Sequence, residues 1–240
     1  HGLPDWTELR PKETIYGLVD LGEAVVRLGS IVTFDRRGDV IWLEDFEDDL
    51  LRWSIVVTGT GASVVASAIR ARSGGFSALL TAGTTSTRLA RISGGTAIPV
   101  AGTLGIEHSF TGGSNLEYLE LLLGRVSGFV ETDWTVRYDP TNQVIQIKDS
   151  ADTWQTIASG IYLGVYATVF HTWKLVVDSD TGKYKRLIVD SNTYDLSAYS
   201  APTLSSDEND YLFFWITETG KATANAIMYI DDVIVTQNEP

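Results

Sequence analysis

From Ser30 onward, apolar residues recur at every second position in short runs, and the runs are separated by clusters of Gly, Ser, Thr, Asn and Asp. Alternation of this kind puts successive side chains on opposite faces of a strand, so each run can bury one face and wet the other. Thirteen runs show it between Trp53 and Thr236: Trp53–Thr58, Ser63–Arg70, Ser77–Thr81, Thr87–Ile92, Gly105–Phe110, Glu117–Leu123, Thr132–Tyr138, Val144–Lys148, Trp154–Ile157, Thr172–Asp178, Tyr184–Asp190, Tyr211–Thr217 and Ala226–Thr236. Separators such as Thr58-Gly59-Thr60-Gly61, Ser73-Gly74-Gly75 and Asp139-Pro140-Thr141-Asn142 are turn chemistry. Many short strands at this spacing, with almost no helical period, predict an all-β chain folded as a two-sheet antiparallel sandwich. The inward rows are set by parity: Leu119, Leu121 and Leu123 on one strand, Trp134, Val136 and Tyr138 on another, Trp173, Leu175 and Val177 on a third. Tyr118, Glu120, Asp133, Thr135 and Arg137 fall on the opposite faces.

The 240 residues are long enough to bury one large core, and 44% are hydrophobic, which argues against disorder. The formal charge is −13, from 18 Lys+Arg and 31 Asp+Glu, and no basic cluster occurs, so nucleic acid is excluded as a partner. With no cysteine there is no disulfide framework, thiol nucleophile or zinc–thiolate site. The apolar runs are far short of the ~20 residues that span a bilayer, so no membrane insertion is expected. No cationic start followed by an apolar stretch marks a signal peptide. The chain begins at His1 and its only methionine is Met228, so His1 reads as a tag remnant or as an N-terminus made by cleavage.

The first 43 residues read differently from the rest. Residues 1–19 hold Pro4 and Pro11 and read as an extended arm. Asp20 followed by Glu23 has capping-box spacing, Leu18, Leu21, Val25 and Leu28 make one stripe, and Gly29 supplies a stop. That predicts one short helix over 20–28. A hairpin follows, Ile31–Phe34 and Val40–Leu43 around Asp35-Arg36-Arg37-Gly38-Asp39. We therefore divide the chain into 1–43, an arm, short helix and hairpin suited to docking or an oligomer contact, and 44–240, the sandwich.

Two groups of residues carry a resemblance. Glu44-Asp45-Phe46-Glu47-Asp48, then Trp53 and Ser73-Gly74-Gly75-Phe76-Ser77-Ala78-Leu79, with the ending Tyr229-Ile230-Asp231-Asp232-Val233-Ile234-Val235, resembles carbohydrate-binding-module jelly rolls. The middle, Trp173–Asp178 through Thr181-Gly182-Lys183-Tyr184 to Tyr194-Asp195-Leu196, is similar to concanavalin A-like or laminin-G-like sandwiches. The layout of a short N-terminal element before a lectin-like sandwich also looks like virion and cell-surface structural proteins. In the resembled jelly rolls a structural calcium joins the entry segment to the last strand. Carried over residue by residue, its ligands would be the Glu47 carboxylate, the Asp45 carbonyl, a carbonyl near Ser73 or Gly74, and Asp232. Calcium takes six to eight oxygens, which such a set can begin to supply. Parity puts Asp231 and Asp232 on opposite faces, so at most one of them points inward.

Other candidate chemistry is thinner. Asp178-Ser179-Asp180-Thr181-Gly182 looks like the start of a calcium loop but lacks the acidic twelfth residue, and reads as a hairpin turn. Sugar stacking needs exposed rings beside polar groups; Tyr118 with Glu120, Trp154, and Tyr162 with Tyr166 qualify, whereas Trp42, Trp53, Trp134, Trp173 and Trp215 read as core. Sandwich glycosidases carry closely alternating carboxylates on one strand, and the nearest pair here, Glu117 and Glu120, falls on opposite faces. His1 with His108 or His171 would meet the count for a copper site but lacks any visible supporting shell. The expectation is thus a non-catalytic structural or adhesive module, extracellular or on a virion surface, whose partners are other protein subunits. The alternative is a carbohydrate-binding module with a glycan partner, and a glycan-active hydrolase or lyase comes third. A polar or charged exposed sheet face favours the structural role, and several exposed coplanar aromatics favour the glycan.

Overall fold

The computed structural model describes residues 34–35, 37–85, 88–97, 102–113, 115–163 and 169–240. The expected helix at 20–28 and residues 31–33 of the expected hairpin lie outside these residues. Among the described residues there is no helix long and apolar enough to cross a membrane.

Two eight-stranded antiparallel sheets face each other. The first, sheet A, runs in the order β13 (Asn192–Asp195), β12 (Lys183–Val189), β11 (His171–Asp178), β6 (Thr103–Gly112), β16 (Ala226–Gln237), β4 (Ser77–Ala82) and β3 (Ser63–Ser67), with β1 (Asp39–Glu44) also pairing with β16. The second, sheet B, runs β10 (Trp154–Ser159), β9 (Val144–Lys148), β8 (Val130–Asp139), β7 (Leu116–Ser127), β15 (Tyr211–Gly220), β5 (Leu89–Thr96) and β2 (Ser54–Val57), with β14 (Thr203–Ser205) also pairing with β8. Hairpin runs (β3–β4, β7–β10 and β11–β13) alternate with crossings between layers, which set β6 beside β11 and β16 and β7 beside β15.

The parity rows land as the alternation predicts. Leu119, Leu121, Leu123, Trp134, Val136 and Tyr138 of sheet B meet Trp173, Leu175 and Val177 of sheet A in one continuous buried cluster. At one end of the cluster Trp42 meets Trp53 and Phe214 edge-on, with ring centroids 4.9 and 4.8 Å apart, and Phe46 stacks on Trp53 at 5.7 Å. The division drawn between residues 43 and 44 falls inside β1, whose Trp42 belongs to this core and whose backbone pairs with β16. A deletion up to residue 43 would therefore take a strand out of sheet A.

Two glycines let rings lie flat on a sheet. A Cβ on Gly94 in β5 would stand 2.6 Å from the Phe214 ring, which is wholly buried and has nowhere to move. On the other face, a Cβ on Gly124 in β7 would meet the tip of Phe213, which borders solvent and can swing away. Gly94→Ala is therefore expected to destabilise the sandwich by about 1–3 kcal/mol through overpacking. Gly124→Ala should cost much less; equal losses in paired thermal melts would refute this account.

The outer face of sheet A is closed over by chain. Lys174 on β11 and Glu107 on β6, register partners, both point outward, yet Lys174 is fully buried. The Lys174 ammonium lies 2.6 Å from Glu239 and donates hydrogen bonds to the Asp35 and Arg37 carbonyls. Glu107 accepts hydrogen bonds from the Phe34 and Asp35 amides. Gly105 makes room for this knot, since a Cβ there would strike Thr236, Glu239 and Lys174. Phe34, Asp35, Arg37 and residues 238–240 are thus pinned on sheet A, whereas on the outer face of sheet B the charged and aromatic residues Arg91, Tyr118, Glu120, Arg137, Trp154 and Trp215 are only half-buried.

Candidate functional site

On sheet B the outward residues form aligned rows. Register pairs Glu120 of β7 with Arg137 of β8 and Arg137 with Gln146 of β9, which faces Thr156 of β10. On the other side Glu120 pairs with Thr217 of β15, which faces Arg91 of β5. One row therefore reads Thr156, Gln146, Arg137, Glu120, Thr217, Arg91. It is wired by hydrogen bonds: Gln146 Nε2 donates to Thr156 Oγ1 at 3.1 Å, Arg137 Nε to Gln146 Oε1 at 2.9 Å, and Arg91 Nε to Thr217 Oγ1 at 2.8 Å.

Aromatic rings flank this row. The Arg137 guanidinium lies over Trp154 at 3.8 Å and over Tyr118 at 4.4 Å, and that of Arg91 over Trp215 at 4.4 Å. Trp215, Phe213 and Tyr211 continue along β15 as a ladder with centroids 5.6 and 5.2 Å apart, packed on Leu122 and Val126 in a second, outer apolar cluster. Stacking of this kind fixes the guanidinium planes while leaving ring faces and N–H edges toward solvent. Tyr118 also walls an open depression with Arg88, Glu117 and Lys221.

Glu120 sits at the centre. Burial pushes its carboxyl up from the ordinary value, against the lowering pull of Arg137, Lys148 and Arg91. Among the described residues no donor hydrogen-bonds to it. A half-buried acid without a hydrogen-bond partner, its pKa raised by burial, has the character of a proton-transferring group. The nearest acid on this face is Asp139, two residues along β8 from Arg137, but its carboxyl is turned to the β8–β9 turn, where it accepts the Thr141 and Asn142 amides and the Asn142 side chain. Asp133 and Glu131 lie four and six residues along β8 from Arg137, about 13 Å or more away, beyond the roughly 5–9.5 Å between the two carboxyls of carboxylate-pair glycosidases. Burial, with Glu131 nearby, raises Asp133 to about 7.

The residues singled out from sequence divide sharply. Tyr118, Glu120 and Trp154 are brought together, joined by Arg137. Trp215, expected in the core, lies on the outer face. Its strand, Tyr211-Leu212-Phe213-Phe214-Trp215-Ile216, is apolar on both sides, so alternation carried no sign of which way it turned. The tyrosine–arginine–acid cluster that the sequence did not assemble exists, because β5, β7, β8 and β15 become neighbours only in the sheet. Tyr162 is exposed, and Tyr166 and His1 lie outside the described residues. His108 is buried, accepts from the Trp173 indole and is pushed down to about 3 by burial, while His171 pairs with Asp190 at 2.7 Å. Asp178 caps the turn between β11 and β12 by accepting the Asp180 and Thr181 amides, as the hairpin reading requires.

Asp45, Glu47 and Asp232 converge on the loop at 72–76. Glu47 accepts the Gly75 and Phe76 amides at 2.7 and 2.8 Å, Asp45 accepts the Glu47 amide at 3.2 Å, and Asp232 pairs with Arg72 at 2.8 Å and accepts from the Ser73 hydroxyl. Asp231 is buried as well and accepts the Arg72 and Ser73 amides. Parity fails here because a bulge between Asp231 and Ile234, with Asp232 at φ +49°, turns both carboxyls to one side. The carboxylates are held by N–H donors and a guanidinium, and among the described residues no three His, Cys, Asp or Glu group as metal ligands. As it stands this is not an oxygen cage. Calcium there is a proposal that rests on the resemblance alone, for melting curves with and without chelator to decide.

Two closed antiparallel layers with an aromatic, cation-bearing outer face define a jelly-roll β-sandwich of the concanavalin A-like type, and solved structures bear out the fold. The chain is similar to a cellulose-induced protein, Cip1 (14% identity, TM-score 0.57, covering 82% of this chain and 97% of that one). It is also similar to an endo-beta-1,4-glucuronan lyase from the fungus Trichoderma reesei (10%, TM-score 0.58, 82% and 95%) and to a Bacillus licheniformis beta-glucanase (10%, TM-score 0.50, 84% and 99%). No protein-family model and no curated protein matches the chain. The likenesses establish the fold. They also correct the expectation of a non-catalytic structural or adhesive module. Two of these three neighbours are enzymes by name, matched over nearly their whole length, and the expectation had rested on finding no residues for a reaction.

Proposed function

We propose that the protein is carbohydrate-active, holding a glycan across the outer face of sheet B and using Glu120 as the proton-transferring group in its cleavage. The observation that carries this reading is the row itself: an unpartnered acid between two stacked arginines, with aromatic rings on either side. Rings offer faces for pyranose stacking, while Gln146 and Thr156 offer hydrogen bonds to hydroxyls. The glycan-directed neighbours support the same reading at the level of fold. A polymer of this kind does not enter cells, so the reading sets the protein's work outside them.

The test is a panel of polysaccharides incubated with the protein, reading new chain ends, with binding followed separately by affinity electrophoresis. Glu120→Gln is expected to lower cleavage by at least about 100-fold, the scale of a lost general acid or base. It should change binding by less than about threefold. Cleavage undiminished in the variant would remove Glu120 from the chemistry, and no glycan bound at all would remove the function.

A further inference from the structure

Resting on that reading, we infer that the glycan is acidic, a chain containing uronic acid residues, whose carboxylates are received by Arg91 and Arg137. Five other arginines in this structure, Arg37, Arg52, Arg72, Arg88 and Arg186, are ion-paired with carboxylates of the chain itself. Arg70, Arg91, Arg125 and Arg137 are not paired with any carboxylate of the described residues; Arg70 lies over Tyr229, Arg125 donates from both terminal nitrogens to Ser179 and Ser127, and Arg91 and Arg137 stand together on the ring-lined face, both partly buried.

Each spends its Nε on a neutral partner, Thr217 or Gln146. No described residue takes a hydrogen bond from their terminal nitrogens, and the planes are held by Trp215 on one side and by Tyr118 with Trp154 on the other. Burial weakens the proton affinity of both guanidinia, the mark of charge removed from water without a full counter-charge. Leaving such groups unpaired is costly unless a ligand completes them, and a planar carboxylate matches the guanidinium fork in two hydrogen bonds.

Glu120 between them stands beyond ion-pairing distance of both, and with Asp139 near Arg137 it offsets their charge without pairing with it. In a chain of net charge −13, two arginines without an ion pair on the ring-lined face are against the general trend. Arg91 and Arg137 stand on strands three spacings apart, about 14 Å between backbones. Arg91 leans inward onto Thr217 while Arg137 leans toward Gln146 and Trp154, so the two guanidinia span a few sugar units. A neutral glucan would satisfy the rings and the amide but leave both guanidinia bare.

The experiment compares the intact protein against polyglucuronate, polygalacturonate and alginate on one side and neutral cellulose and mixed-linkage glucan oligosaccharides on the other. Binding is read by affinity electrophoresis and calorimetry at low and high salt. Expected is binding of at least one acidic chain about 10-fold or more tighter than any neutral one, weakening as salt rises. Arg137→Gln and Arg91→Gln should each lower that affinity about 10- to 100-fold, with Arg137→Lys and Arg91→Lys intermediate because charge is kept and the fork is lost. Melting curves of each variant identify any that fail to fold, and the salt dependence of the unaltered protein stands without them. Neutral glycans bound as well as acidic ones, or arginine variants that bind unchanged, would overturn the acidic assignment and leave the glycan reading intact. Binding of neither class would overturn both.

Discussion

Replacing Lys174 with methionine is expected to cost the fold about 3–5 kcal/mol, the scale for removing one partner of a buried ion pair. The ammonium is fully buried on the outer face of sheet A and is 2.6 Å from Glu239, 3.6 Å from Asp35 and 3.9 Å from Glu107. Glu107 is already pushed up to about 7, with burial as the main cause and the Phe34 amide and Lys174 working against it. Without the cation, Glu239 retains Arg186 at 3.1 Å and the Thr236 hydroxyl, while Glu107 retains only the amides of Phe34 and Asp35. Phe34, Asp35, Arg37 and residues 238–240 lose their common anchor. A chain of this size shifts its melting temperature roughly 2–4 °C per kcal/mol, so a fall of some 6–20 °C is expected. Adding Glu107→Gln to Lys174→Met should recover part of it, since the carboxylate left without a cation is gone. A fall under about 2 °C would show the network to be solvated and the anchor illusory.

The second large effect runs in the opposite direction. Glu218 of β15 points between the sheets and is wholly buried, with only the Ala82 amide directed at its carboxyl, outside good hydrogen-bond geometry. Desolvation therefore raises its pKa well above the ordinary value. The sign follows from proton counting. Above the unfolded carboxyl range the unfolded chain releases a proton that the folded one keeps, so stability falls as pH rises, at about 1.4 kcal/mol per pH unit, until the folded group ionises. Glu218→Met keeps the side chain's length and removes the polar burden, so it should stabilise the protein by about 1–4 kcal/mol. The gain should be smallest near pH 4 and grow toward pH 8, as measured by denaturant unfolding across that range. A variant less stable than the parent at every pH would mean that Glu218 has a partner the structure does not reveal.

These two residues also show where the sequence stopped speaking. Parity placed Leu119, Leu121, Trp134 and Trp173 inside, and the structure keeps them there, because a strand between two sheets must bury alternate side chains. The same parity puts Glu218 inside, a position that composition alone would never assign to an acid. The short strands β13 and β14 were missed because three or four residues are too few for a period to register. At Asp231 and Asp232 parity misled, since one bulge reverses the face of everything after it.

The candidate site was half visible. Tyr118, Glu120 and Trp154 could be picked out as outward residues, but Arg137 passed as an ordinary member of an outward row and Arg91 drew no notice. Nothing within a single strand says which ring an arginine will cover. The presence of β-layers, their strands and their core faces was set by the amino-acid sequence, because alternation is a local property of each strand. The union of Arg91, Glu120, Arg137, Tyr118, Trp154 and Trp215 on one face was decided by strand order. Sheet neighbours such as β7 and β15 are about ninety residues apart along the chain, and only pairing across the sheet brings their side chains within reach of one ligand.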